Sequence, residues 1–131
     1  MAIRIKRAER FTETVELEKA GEVVESFEID IDCEAIAKDY NKAINGITAA
    51  QAKFSEHPQS EQAQEAFGNA IVMLFEVVFG VEQAKKLVDF FDGAYMEMAL
   101  QVVPYIVSDI SPMIEKAVED MKKRAEALYR K

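Results

Sequence analysis

G-N-A-I-V-M-L-F-E-V-V-F-G, residues Gly68 to Gly80, decides the fold: nine of the ten residues from Ala70 to Phe79 are apolar, and Glu76 alone interrupts them. A helix that is apolar on every side has to be enclosed, by its own domain or by another chain. The run is also well short of the roughly 20 residues that cross a bilayer. It therefore reads as a core or partner segment, and the expectation is that 131 residues cannot cover all of this surface without help from neighbouring chains.

Working back from this run, Ser60 is placed to cap the helix. Glu61, Gln62, Gln64 and Glu65 give it a polar first turn before Phe67, Ile71, Leu74 and Val78. His57-Pro58 ends an earlier helix that starts from an Asp32 cap with Glu34 in its first turn. Its stripe is Ile36, Tyr40, Ala43, Ile47, Ala50 and Phe54, with room for a kink at Asn45-Gly46. Before Asp32 the period changes to two. Ile3, Ile5, Phe11, Val15, Leu17, Val23, Phe27, Ile29 and Ile31 all fall on odd numbers. Lys19-Ala20-Gly21-Glu22 links two such runs into a hairpin, with Ile3 to Lys6 as a possible further strand. A ribbon of two or three strands is not stable alone and must lie on helices or pair its edge with another molecule.

Working forward, Gly80 stops the apolar helix. Val81 to Phe91 forms a short amphipathic one, with Ala84, Leu87, Val88 and Phe91 on one side and Lys85 and Lys86 opposite, closed by Gly93. Tyr95, Ala99, Val102 and Ile106 make a further stripe, whose helix bends or ends near Pro104. Ser111-Pro112 reads as the start of a final helix carrying Ile114, Val118, Met121, Ala125 and Leu128. That helix has Glu115, Glu119 and Asp120 early and Lys122, Lys123, Arg124, Arg130 and Lys131 late, in keeping with its dipole, and is long enough for a projecting arm. The expected class is α+β, mostly α-helical: an N-terminal β-hairpin of two or three strands, then about five helices packed as a small bundle. One domain is expected over 1–131, with an acidic hairpin in 1–32 and a helical region in 33–131.

A net charge of −8 argues against nucleic acid as a partner. Arg4, Lys6, Arg7 and Arg10 crowd the start, and nine carboxylates from Glu13 to Glu34 follow with only Lys19 among them. This polarity suits either a solvated face or the steering of a basic partner or a second copy. The single cysteine, Cys33, rules out an internal disulfide and reads as a small, partly buried thiol. The basic start has no apolar run behind it, so a secretory signal is not expected and the cytoplasm is.

Chemistry finds few footholds. His57 stands alone beside Pro58, Glu-x-x-His pairs are lacking, and the five glycines are scattered singly, with no phosphate-binding loop. No catalytic residue, metal or cofactor is expected. Glu76, surrounded by Phe75, Val77, Val78 and Phe79, is the one candidate acid, and the alternative is that it reaches the helix rim. Asp89 and Asp92 are weaker candidates. Met73, Met96, Met98, Met113 and Met121 suit either a core or an adaptable binding surface. Phe67, Phe75, Phe79, Phe90, Phe91, Tyr95 and Tyr105 cluster in the middle of the chain, and any excess over the core marks an interface. The residues expected at a partner or oligomer contact are Phe75, Phe79, Gln83, Lys86, Phe90 and Tyr95.

L-F-E-V-V-F-G-V-E-Q-A-K-K-L-V-D-F-F-D-G, from Leu74 to Gly93, followed by V-V-P-Y-I-V-S-D-I-S-P-M-I-E-K and the lysine-rich end, resembles the tail assembly chaperones of long-tailed bacteriophages and prophages, siphovirus- or myovirus-type. The likeness runs from about Phe67 onward. It implies a non-enzymatic protein in the bacterial host cytoplasm that oligomerises into a ring or spiral. Its implied partners are the helical tape-measure protein, kept soluble, and the tail-tube protein, with no membrane and no nucleic acid. The resemblance makes this chain the short form of such a chaperone. A structural tail or connector component retained in the virion is the alternative.

Overall fold

The computed structural model describes residues 2–5 and 10–129, the last of these without its side chain. Strand β1, Phe11–Lys19, pairs antiparallel with β2, Glu22–Ile31. Ala20 (φ 54°) and Gly21 (φ 84°) join them. Positive φ at both central residues gives the reversal the twist that matches a hairpin, easy for Gly21 and strained for Ala20. Residues 2–5 form no strand, so among the described residues the sheet has two strands, and Lys6 of the expected third strand lies outside them. So do Arg7 of the basic start and Arg130 and Lys131 of the basic end. Arg10 ties the hairpin base, its Nε donating to Asp30 Oδ1 at 2.5 Å and its Nη1 to Asp32 Oδ2 at 3.5 Å.

The inward face is carried by Leu17, Phe27, Ile29 and Ile31, all buried, with Phe11 and Val15 packed beside them. Val23, expected among them, is exposed. The register slips between Leu17, which faces Glu25, and Glu18, which faces Val23, leaving Val24 over. One extra residue reverses every side chain beyond it, which turns Val23 outward.

Helix α1, Cys33–Glu56, starts where the Asp32 side chain accepts from the Ala35 amide at 3.1 Å, and it passes Gly46 without a break. Helix α2, Glu61–Phe79, starts on Ser60, whose hydroxyl accepts from the Ala63 amide at 3.2 Å. It stops at Gly80 (φ 89°). Helix α3, Val81–Phe90, leads through Asp92 and Gly93, both at positive φ, to α4, Tyr95–Tyr105. The Tyr95 ring lies on Gly68 so closely that a methyl group there would overlap it, Cγ standing 2.6 Å from the Cβ position. That contact brings α4 onto α2.

The α4 segment ends at Tyr105, one residue past Pro104, but it runs into a π turn without a gap, so the new start expected at Ser111 is corrected. Ile106–Ile110 form a π turn, and α5, Ser111–Tyr129, continues from it without a gap. Ser111 has helical dihedrals (φ −54°, ψ −44°) and is no cap, and its amide donates to the Ile106 carbonyl, five residues back. The five helices of the sequence reading thus become four rods, the last spanning 95–129. Two physical causes meet here. Pro112 has no amide, and its ring would clash with the carbonyl four residues back, a conflict that the wider turn before it relieves. The inward residues Met98, Val102, Ile106, Ile110 and Ile114 also repeat every four. At about 100° per residue such a row drifts about 160° around a regular α-helix over these 16 positions. One residue taken up by the π turn removes about 100° of that drift and keeps Ile110 and Ile114 against the core.

A single buried cluster takes members from both strands and every helix. Its centre is α2, where Ile71, Leu74 and Phe75 are fully enclosed and Val78 and Phe79 nearly so. The run that set the sequence reading is therefore covered largely by its own chain. Met73 and Glu76 are the side chains it leaves exposed. Phe27 sets its ring edge-on to Phe79 at 6.3 Å and locks the hairpin to α2. Phe54 packs on Phe67 at 5.6 Å between α1 and α2. Arg124 of α5 pairs with Glu34 of α1. Beyond Asp120 the described side chains of α5 are exposed, so its last turns project as expected.

Candidate binding surfaces

Two surfaces stand out. The first is an open groove of about 610 Å³ between β1 and the α3–α4 corner. Every residue from Glu13 to Ala20 lines it. Successive strand residues point to opposite faces, so only the edge of a strand can present eight in a row. The groove thus runs along the edge of β1 that β2 leaves unpaired, with its backbone N–H and C=O groups facing out. Phe79, Leu87, Phe90, Phe91 and Val102 supply apolar lining. The charged lining is Glu13, Glu16, Glu18 and Glu97 against Lys19, a negative balance.

Tyr105 bridges this groove, its hydroxyl donating to Glu13 Oε2 at 2.6 Å. Burial, and then the Glu13 carboxylate, hold the phenol well above its ordinary range near 10. A group whose folded pKa lies above its unfolded value favours the fold until the unfolded form begins to ionise. Stability should therefore fall as pH rises beyond about 10, and Tyr105→Phe should flatten this part of the profile. Melting temperatures of both proteins from pH 8 to 11 check it, and parallel profiles would contradict it.

The second surface is a row on α4 and the π turn: Met96 (47% exposed), Leu100 (67%) and Val107 (52%). They follow one another at helical spacing on the side away from Met98 and Ile106. Met113, Val118 and Met121 are also partly exposed on α5, and Met73 is 58% exposed on α2. Of the five methionines singled out in the sequence, Met98 alone is core.

The six expected contact residues separate. Phe75 is fully buried and Phe79 nearly so, their rings edge-to-face at 6.0 Å, which leaves Phe75 no surface to offer a partner. Gln83 and Lys86 are half-buried. Gln83 Oε1 is buried without a hydrogen-bond partner among the described residues, a costly state for an amide oxygen. Lys86 Nζ lies 3.9 Å from Glu25 Oε1, so it faces the hairpin and not, as the α3 stripe implied, open solvent. Phe90 is half-buried against Phe91 in the groove, whereas Tyr95 does not line the groove and lies partly exposed over Gly68.

Glu76, Asp89, Asp92 and His57 are all exposed, Glu76 beside Met73 on the open side of α2. Cys33 is buried, and that burial, followed by the charge of Asp32, pushes its thiol up and away from thiolate. Among the described residues no group of His, Cys, Asp and Glu is placed to hold a metal ion, and no helix is long and apolar enough to cross a membrane. The sequence reading missed Leu100 and Val107, and it named the ribbon's pairing edge without assigning it to β1. A signal for the first two was present: 95–107 holds too many apolar residues for one stripe, as α2 does. No family model matches this chain, and neither does a curated protein or a solved structure.

Proposed function

We propose that this chain is a non-enzymatic phage tail assembly chaperone that self-associates and shields the apolar face of the helical tape-measure protein in the host cytoplasm. The observation that carries the reading is the exposed row Met96, Leu100 and Val107. A flexible, polarizable methionine beside a leucine suits a surface that must accept many similar amphipathic helices. The net charge of −8 keeps a loaded complex in solution. The resemblance of residues from Phe67 onward supplies the identity of the partner.

Co-expression with helical tape-measure fragments tests this. The wild-type chain should raise their soluble yield several-fold. Leu100→Asp should lose most of that gain while melting within about 0.5 kcal/mol of wild type, as exposed substitutions do. Failure to solubilise any fragment overturns the reading. So does recovery of the chain from purified virions in stoichiometric amount, which is the mark of a structural tail component.

A further inference from the structure

The acidic groove has an apolar lining, an open strand edge and a negative rim. Its complement is a short extended segment with apolar and basic residues in alternation. The chain contains one. Residues 2–5 read A-I-R-I and are followed by Lys6 and Arg7. In the structure this segment forms no strand, and Ile3 and Ile5 are 88% and 94% exposed.

We propose that residues 2–5 of a second copy of this chain dock along β1 as a third strand. Backbone groups of the incoming segment pair with the free edge from Glu13 to Lys19. Ile3 and Ile5 turn towards Phe90, Phe91 and Val102, and Arg4 faces the carboxylates of Glu16 and Glu18. The donor is a second copy because in its own chain the segment does not lie in the groove: residues 2–5 form no strand and leave Ile3 and Ile5 exposed. Reciprocal donation closes a dimer, and donation from each copy to the next closes a ring or extends as a spiral. This deepens the self-association part of the function proposed above and rests on that part alone.

The experiment uses the full chain. Light scattering during gel filtration, over a hundredfold range of concentration, should show oligomers. Ile3→Asp with Ile5→Asp should weaken association at least tenfold and leave the melting temperature of the monomer unchanged, since both side chains are exposed. Moderate salt should weaken the wild-type association as well. In a mixture of an Arg4→Cys chain with a separate Glu16→Cys chain, whose side chains share one face of the docked strand pair, mild oxidation should link unlike copies. Oligomers that persist in the double-aspartate variant overturn the docking and leave self-association standing. A wild-type chain that is monomeric throughout overturns both. A disulfide that forms only within one chain carrying both cysteines shows that the segment closes its own groove and overturns the exchange.

Discussion

Phe75→Ala is expected to remove about 3–5 kcal/mol of stability, the usual cost of truncating an enclosed aromatic. Phe75 has no exposed surface and stands edge-on to Phe79, at the centre of a cluster that every element joins. No neighbour can close the space without moving α2, so the cavity cost adds to the lost burial. A domain of this size has a total stability of about 5–15 kcal/mol. The variant should melt roughly 10–20 °C lower, at one fixed protein concentration so that association does not contribute. In denaturant its midpoint should fall with little change of slope. A loss under about 1 kcal/mol would show that α2 is not the centre of the core, and the account of the fold would have to be rebuilt.

Phe27→Ala should cost nearly as much, about 3–4 kcal/mol, and its effect should be uneven. Among the described residues the two strands have only each other as partners, and such a ribbon holds in water only when its apolar face is covered. Phe27 makes that cover through Phe79, with Ile29 and Ile31 beside it. Amide exchange in β1 and β2 should therefore accelerate more than exchange in α2. A double-mutant cycle with Phe79→Ala should return a coupling of about 0.5–1.5 kcal/mol, the range for a well-placed aromatic pair. Equal acceleration throughout the chain would mean that the hairpin and helices open as one unit.

Where sequence and structure agree, a local rule sufficed. The Asp32 and Ser60 caps, the Gly80 stop and the Ala20-Gly21 reversal are each decided by a few adjacent residues and the backbone geometry they allow. The disagreements come from packing between distant residues. Nothing near Val23 announces that the ribbon slips by one residue after Leu17. Ser111-Pro112 is a strong local start signal, yet the row from Met98 to Ile114 has more to gain by staying on the core, and it overrides that signal. The same holds for the contact residues. Apolarity alone cannot say whether Phe75 meets its own chain or another, because both destinations remove it from water equally well. Leu100 and Val107 were obscured for the converse reason: one stripe of their helix was enough to satisfy the periodicity, and a second, outward one carried no separate mark.

The π turn also sets how this gene product can change by insertion or deletion. Loss of one residue from 106–110 would restore an ordinary α-helical path, set the Pro112 ring back against the carbonyl four residues before it, and swing everything downstream by about 100°. Ile114 would leave its seat, the Arg124–Glu34 pair would come apart, and Met113, Val118 and Met121 would address a different side of the molecule. Length in this short stretch is therefore held more tightly than residue identity, and variants that survive here should be substitutions, not gaps.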